Sequence, residues 1–307
     1  MRSKPLMKKG GLIFYIGLLA LPLIQFLIFY VVVNANSFLL AFQSYDVVSG
    51  GGFGTFRFTG WETFKELFRS FKTNPYLPIA FKNSFLAYFI SLIVSTPLAL
   101  FFSYYIYKKM PCSAFFRIIL FLPSIIPVVV LSGLYTQLCE SIIPKIVRMS
   151  GGELTGYLSD ENTVFAALVF FSIFISFGTA SLLYVGSMTG ISDSVVEAAK
   201  LDGANVIQEF LYITFPMIYP TFSTLTIVGL AGIFTNQWNA FAFFSDKATG
   251  KAYTVGYFIY VNSLDAYRSQ YPMVAAFGIL LTLFIVPVTM LVRKLLGLYG
   301  GTDNGKV

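Results

Sequence analysis

Histidine is absent from all 307 residues, which removes the commonest general base and a common metal ligand. Hydrolysis that depends on His is thereby excluded, and metalloenzyme chemistry is disfavoured. Charge is almost as scarce: 11% of residues are Asp, Glu, Lys or Arg, against about 25% in an ordinary soluble domain. A soluble fold of this length would lack the polar surface to cover its core. Cysteine is limited to Cys112 and Cys139, just outside opposite ends of one expected helix. About 27 helical residues at roughly 1.5 Å each hold them ~40 Å apart. A disulfide between them is therefore excluded, and both read as apolar fillers.

What is present is apolar. Hydrophobic residues make up 56% of the chain, with 34 Phe and 19 Tyr, and the mean hydropathy is +0.75. The net charge of +7 sits mostly between apolar runs, where basic residues anchor membrane flanks. No compact basic segment with interleaved aromatics points to nucleic acid. The chain reads as an all-α, polytopic membrane protein with six spans, at about 11–33, 83–107, 118–138, 163–189, 216–236 and 271–292. Each run is close to the ~20 residues that a crossing helix needs. Pro97, Pro123, Pro127 and Pro287 fall inside spans and mark kinks.

The first run follows Arg2, Lys4, Lys8 and Lys9. It is longer than a signal-peptide core and lacks a clear cleavage site, so it reads as a retained helix with a cytoplasmic start. Residues 1–10 are then a cytoplasmic tail, 11–296 a single transmembrane domain, and 297–307 a flexible tail. Six crossings return Arg293 and Lys294 to the starting side. Between the first two spans, Ser49 to Gly52 marks a turn, and Trp61–Phe71 reads as a short interfacial helix through Phe64, Leu67, Phe68 and Phe71.

The six runs as drawn contain no Asp, Glu, Lys or Arg, and 210–245 is 36 residues without a charge. Proton pumps, voltage sensors and many ion-coupled carriers need ionisable groups at that depth. Their lack favours a neutral solute moved by energy from elsewhere. An ion-coupled carrier or channel is the alternative, since carbonyl-built Na⁺ sites stay open. Gly300–Lys306 superficially fits a phosphate loop. Val307 replaces the Ser/Thr that holds Mg²⁺, however, and no strand precedes the loop. The chain shows no ATPase site and reads as a non-enzyme.

Residues 190–215, between the fourth and fifth spans, form the most structured polar segment. Ser194 with Glu197 three residues on reads as a capping box, Gly203 ends that helix in the left-handed region, and Asn205 with Gln208 caps a second helix running through Phe210, Leu211 and Ile213 toward Pro216. A plain helix connector needs about 2–8 residues. The longer elbow suits a docking element for a second protein, or an amphipathic helix lying on the membrane. Elsewhere, Ser172, Ser176 and Ala180 recur at four-residue spacing, followed by Gly186 and Gly190, a pattern of helix-packing seams. Asn236-Gln237-Trp238-Asn239 ends the fifth span. Amides bond sugar hydroxyls and an indole covers a pyranose face; Trp238 equally suits an interfacial belt.

The elbow resembles the EAA loop of ABC importer permeases, E-A-A-x3-G-x9-I-x-L-P. Glu197, Ala198, Ala199, Gly203, Ile213 and Pro216 fall in register, with Phe215 in place of the usual Leu. Leu201-Asp202-Gly203-Ala204 is similar to the variant in sugar permeases. Phe116-Arg117 followed by Phe121-Leu122-Pro123, Asn83-Ser84-Phe85 and Tyr157-Leu158-Ser159-Asp160 resemble helix-start segments of maltose-type carbohydrate permeases. The resemblance covers about residues 80–295. It departs at Glu161, where Pro is common, and lacks the Gly-Gly-Pro often found around Thr249-Gly250.

This resemblance implies a type I importer fold in the bacterial inner membrane, with both termini cytoplasmic. It implies that Glu197, Ala198, Ala199, Asp202, Gly203, Ile213 and Pro216 couple the chain to an ATPase. The implied partners are two copies of a cytoplasmic ABC ATPase carrying ATP and Mg²⁺, a second homologous permease forming a heterodimer, and an extracytoplasmic binding protein. No cofactor is expected on this chain. The implied cargo is a carbohydrate, an oligosaccharide for preference. Sugar contacts are expected from the helices flanking the loop, at Ser172, Ser176, Thr179, Gly232, Asn236, Gln237, Trp238 and Asn239.

Overall fold

The computed structural model describes residues 9–46, 54–248, 250–264 and 269–299. The Ser49–Gly52 turn, Thr249 and the Gly300–Lys306 stretch lie outside the described residues, as do residues 1–8. In chain order the elements are α1 (Phe14–Leu40), strands β1 (Gln43–Asp46) and β2 (Thr55–Phe58), α2 (Glu62–Thr73), α3 (Tyr76–Tyr107), α4 (Ser113–Ile125) and α5 (Val128–Met149). They continue with α6 (Val164–Met188), α7 (Asp193–Leu201), α8 (Val206–Ala231), α9 (Ala240–Phe244), α10 (Val255–Ser263) and α11 (Tyr271–Tyr299). Among the described residues, five helices are long and apolar enough to cross a membrane, and α4 with α5 make a sixth crossing if the bent pair is one span.

The chain divides into two compact units, residues 1–70 with 263–280, and residues 71–262 with 281–307. In the first, β1 and β2 pair antiparallel with Gln43 opposite Phe58, a hairpin the hydropathy pattern does not announce. The helix expected at Trp61–Phe71 is α2. It buries Phe64 and Leu67 and exposes Phe68, the one-sided pattern of a surface helix. Thr63 Oγ1 donates to Gln43 O at 2.8 Å, and the Phe42 ring meets Trp61 edge-on, which ties α2 to the hairpin.

In the second unit, α3 and α6 pack along their lengths, and Ser103 Oγ donates to Ser181 O at 2.9 Å between them. A Cβ on Gly178 would stand 2.0 Å from Leu120 O, so α6 approaches the α4 backbone closely. Small residues permit that contact in lipid. At the α3 start, Asn83 Nδ2 donates to Lys251 O and Tyr253 O at 2.8 and 2.9 Å, and Ser84 Oγ accepts from Val255 N at 3.0 Å. Tyr257, whose phenol pKa burial pushes up, donates to Ser245 O at 2.8 Å.

Several boundaries differ from expectation. The second span starts at Tyr76 instead of Asn83, the fifth helix runs Val206–Ala231 instead of 216–236, and the sixth runs on to Tyr299, into the tail expected at 297–307. The third is not one helix: α4 and α5 meet at 100°, because Ile126 is extended (ψ 135°) ahead of Pro127, the geometry that a proline imposes on its predecessor. Pro97, Pro144 and Pro216 break nothing. Each follows a short π-helical stretch, in which Thr96 donates to Ser91 O, Ile143 to Leu138 O and Phe215 to Phe210 O. The wider turn moves the carbonyl four residues back away from the proline ring. The observed helix bounds bring Lys82, Arg117, Glu140, Lys145, Arg148, Glu209, Arg293 and Lys294 inside, all of which the shorter runs excluded. Cys139 is a buried filler, whereas Cys112 is exposed and caps α4 with φ 59°.

Gly178→Leu is expected to separate α6 from α4, costing at least the ~1–3 kcal/mol of an overpacked contact. The thermal midpoint of the detergent-solubilised protein reads this out.

Candidate functional site

Two features of the second unit carry chemistry: a cavity among α3, α6 and α8, and the elbow beyond α6. The cavity has a volume of 490 Å³, within the range of small-molecule sites. Ser172 and Ser176 enter it from α6, and Gly229 and Gly232 from α8. Gly232 ends α8, and the turns that follow bring Asn236, Trp238 and Asn239 to the cavity wall.

That wall is held by a fixed set of bonds. Asn236 Oδ1 accepts from Trp238 N at 2.8 Å, and Asn239 Nδ2 donates to Ser172 Oγ at 3.0 Å, linking the turn to α6. Trp238 and Asn239 have φ of 52° and 60°, two successive left-handed residues without glycine, each strained by about 1–2 kcal/mol. Residue 256 must be glycine for the turn to be braced from behind, since a Cβ there would lie 2.5 Å from Asn236 O. Trp238 is buried, so it is not an interfacial belt residue, and its Nε1 has no hydrogen-bond partner. A buried donor left unpaired costs about 1–3 kcal/mol.

Of the residues expected to touch substrate, Ser172, Ser176, Gly232, Asn236, Trp238 and Asn239 line this one cavity. Gln237 lines a neighbouring 380 Å³ pocket instead, with Phe241 and Tyr260. Thr179 is exposed and lines neither. The α3 wall was missed: Tyr88, Ser91, Ser95 and Thr96 all face the cavity. Hydroxyls at Ser91 and Ser95, one helical turn apart in an apolar run, were the available signal. Tyr88 OH also donates to Thr226 O at 3.1 Å, joining α3 to α8.

The elbow is built much as its sequence implies, with one correction. Ser194 does not cap α7. Ser192 is the N-cap residue, with no side-chain bond to the helix, and its Oγ lies 2.6 Å from Ser194 Oγ, so Glu197 is not part of a capping box. Gly203 ends the helix with φ 80°, and Ala204 N donates to Ala199 O at 3.0 Å, closing a Schellman-type turn. Asn205 and Gln208 exchange bonds of 2.9 Å each, the reciprocal box expected there. Val196 turns inward onto a cluster with Tyr184, Met188 and Ile218, and Ala199 is buried on the same side. Glu197, Ala198, Asp202, Gly203 and Pro216 face outward, with Ile213 half-buried. Leu201 is 89% exposed at the tip. Only one of the two alanines, Ala198, is therefore free to approach another protein.

Residues 95–296, which contain most of the cavity and the whole elbow, match the family described as binding-protein-dependent transport system inner membrane component. The chain belongs to this family. It is the permease of an ABC importer, a multi-pass inner-membrane protein and not itself catalytic. The permease is 30% identical over 234 residues to the probable ABC transporter permease protein YurN of Bacillus subtilis (strain 168), covering 71% of this chain and 74% of that one. It is 25% identical to the galactooligosaccharides transport system permease protein GanP and 24% identical to the arabinooligosaccharides transport system permease protein AraP, both of the same organism. These alignments cover 83% and 91% of this chain, and 63% and 87% of theirs. In fold it is similar to a chain in the crystal structure of a bacterial ABC transporter involved in the import of alginate. The TM-score is 0.75 and the identity 21%, over 97% of this chain and 98% of that one.

Asn205→Ala removes one arm of the reciprocal box, at about 1 kcal/mol. Amide exchange at Gln208 is expected to quicken by roughly five-fold, while exchange within α6 stays unchanged.

Proposed function

We propose that this permease translocates an oligosaccharide, and that the cavity among α3, α6 and α8 is part of the pathway it takes. The observation that carries this reading is the convergence of Ser172, Ser176, Asn236, Asn239 and the unpartnered Trp238 indole on one cavity. The amides and hydroxyls would donate to and accept from sugar hydroxyls, and an outward movement of the wall that uncovers Trp238 Nε1 would give that buried donor its missing acceptor. The indole ring supplies an apolar face for the C–H side of a pyranose. The oligosaccharide names of GanP and AraP support the same cargo class.

In this reading both termini are cytoplasmic and the elbow seats in a cleft of a cytoplasmic ATPase. Two copies of that ATPase hold ATP and Mg²⁺, and this chain binds no cofactor. Ala198 lets the two backbones approach, Gly203 sets the turn, Glu197 and Asp202 lie at the charged rim, and Ile213 and Pro216 lie in the elbow-side half of α8. A second, homologous permease completes the pathway, and an extracytoplasmic binding protein delivers the sugar. Closure of the ATPase pair moves the elbow, and α8 carries that movement to the cavity as one continuous helix.

Gly203→Val forces an L residue to φ 80°, at about 1–2 kcal/mol. Capture of the ATPase by the purified permease is expected to fall roughly ten-fold, with insertion unchanged; full capture and uptake would refute the elbow's role. Trp238→Phe removes the unpaired donor, so the melting temperature should hold or rise while uptake of a binding-protein-delivered radiolabelled oligosaccharide falls roughly ten-fold. Loss of stability without loss of uptake would make Trp238 a core residue only.

A further inference from the structure

Lys108 and Glu209 stand 101 positions apart in sequence and meet in the protein interior. Glu209 is 3% exposed, and its Oε2 accepts from Lys108 Nζ at 2.7 Å. Lys108 caps the C-terminus of α3, where the helix dipole favours a cation, and Glu209 lies in the first turn of α8, where it favours an anion. The ammonium also lies 5.7 and 6.0 Å from the Tyr104 and Tyr107 ring centroids. Tyr104 OH donates to Val206 O at 3.2 Å, one residue past the elbow's Asn205 cap. The ion pair and the Tyr104–Val206 bond join the α3 terminus to the root of the elbow, and the two rings hold the ammonium at the α3 end.

An apolar pair of similar volume packs as well as a buried ion pair or better, so this one is not explained by stability alone. What an ion pair adds is a single permitted register, since a displaced partner leaves a bare charge in a low-dielectric interior. The placement gives that register a use. The elbow is covalently continuous with α8, one wall of the cavity. Tyr88, Ser91 and Ser95 of α3 form the facing wall, and no chain connection shorter than the whole α4–α7 segment links α3 to the elbow.

We propose that Lys108 and Glu209 are positioning residues that clamp α3 to the elbow, so that a displacement of the elbow moves the α3 and α8 walls of the cavity as one body. This rests on the elbow's coupling role proposed above. Neither residue touches substrate or nucleotide; both act through the helices they join.

The test uses the full transporter, co-expressed with its ATPase, second permease and binding protein and placed in nanodiscs. Spin labels at Lys109→Cys and Tyr212→Cys, in a Cys112→Ser background, report the α3–elbow distance with and without ATP and vanadate. The clamp predicts a distance that stays constant between the two states in the otherwise native chain. In Lys108→Met/Glu209→Gln it should change between states by more than about 2 Å, the scale of a helix shift, and ATP hydrolysed per sugar transported should rise several-fold. The reversed pair, Lys108→Glu/Glu209→Lys, restores the constant distance and the ratio in part. Should the neutral pair fail to insert, Glu209→Asp, which shortens the reach by one methylene, gives a smaller change of the same sign.

A neutral pair with native distance and native ratio overturns the clamp while leaving the elbow intact. So does a native chain in which the distance already changes between states. If the native permease captures no ATPase at all, the elbow reading falls first and the clamp with it.

Discussion

Inside a bilayer a carbonyl without a donor has no water to replace it, and each orphan costs several kcal/mol. That constraint organises this permease. Pro97, Pro144 and Pro216 each remove an N–H from a long helix, and each is preceded by a π-helical stretch ending in a bond five residues back. At Pro127, where the preceding Ile126 is extended, the helix breaks and turns through 100°. The same need explains the side chains that serve exposed backbone near the cavity. Asn83 covers two carbonyls of the 250–255 segment, and Asn236 captures the amide of Trp238.

The cavity wall is consequently rigid where a site benefits from rigidity. Two residues in left-handed geometry, a glycine against Asn236 O and the Asn239–Ser172 bond leave the Trp238 ring little freedom. Strain retained at a wall of this kind is the mark of a pre-organised surface. The elbow follows the opposite pattern, with an inward stripe of Val196 and Ala199 and an outward face of Glu197, Ala198, Asp202 and Leu201. One face holds the segment to its own protein and the other is exposed.

The crossing helices were legible because each apolar run has to satisfy its own backbone, and the elbow because Gly203, Asn205 and Gln208 are local signals with local causes. Gly203 and the Asn205–Gln208 box are found where the residues place them. Ser194 misled because a Ser-x-x-Glu pattern does not specify which of two neighbouring serines, Ser192 or Ser194, sits at the helix boundary. The span limits at Tyr76, Val206 and Tyr299 were missed because helices continue past the hydrocarbon-like stretch into polar sequence. Pattern also could not assign Trp238, whose burial is a property of the folded chain, or join Lys108 to Glu209, since a long-range ion pair leaves no periodic trace. For the cavity, the α6 serines and the Asn236–Asn239 cluster were visible, yet their common address was a property of three helices together.

The unbroken run of α8 from Val206 to Ala231 has one more mechanical implication. A continuous helix of 26 residues, even with a π-helical turn at Phe210–Thr214, transmits twist as well as thrust. A rotation imposed at its elbow end would therefore turn the far tip about the same axis, sweeping Gly229 and Gly232 tangentially past the opposing hydroxyls, so the cavity would open by torsion as much as by separation.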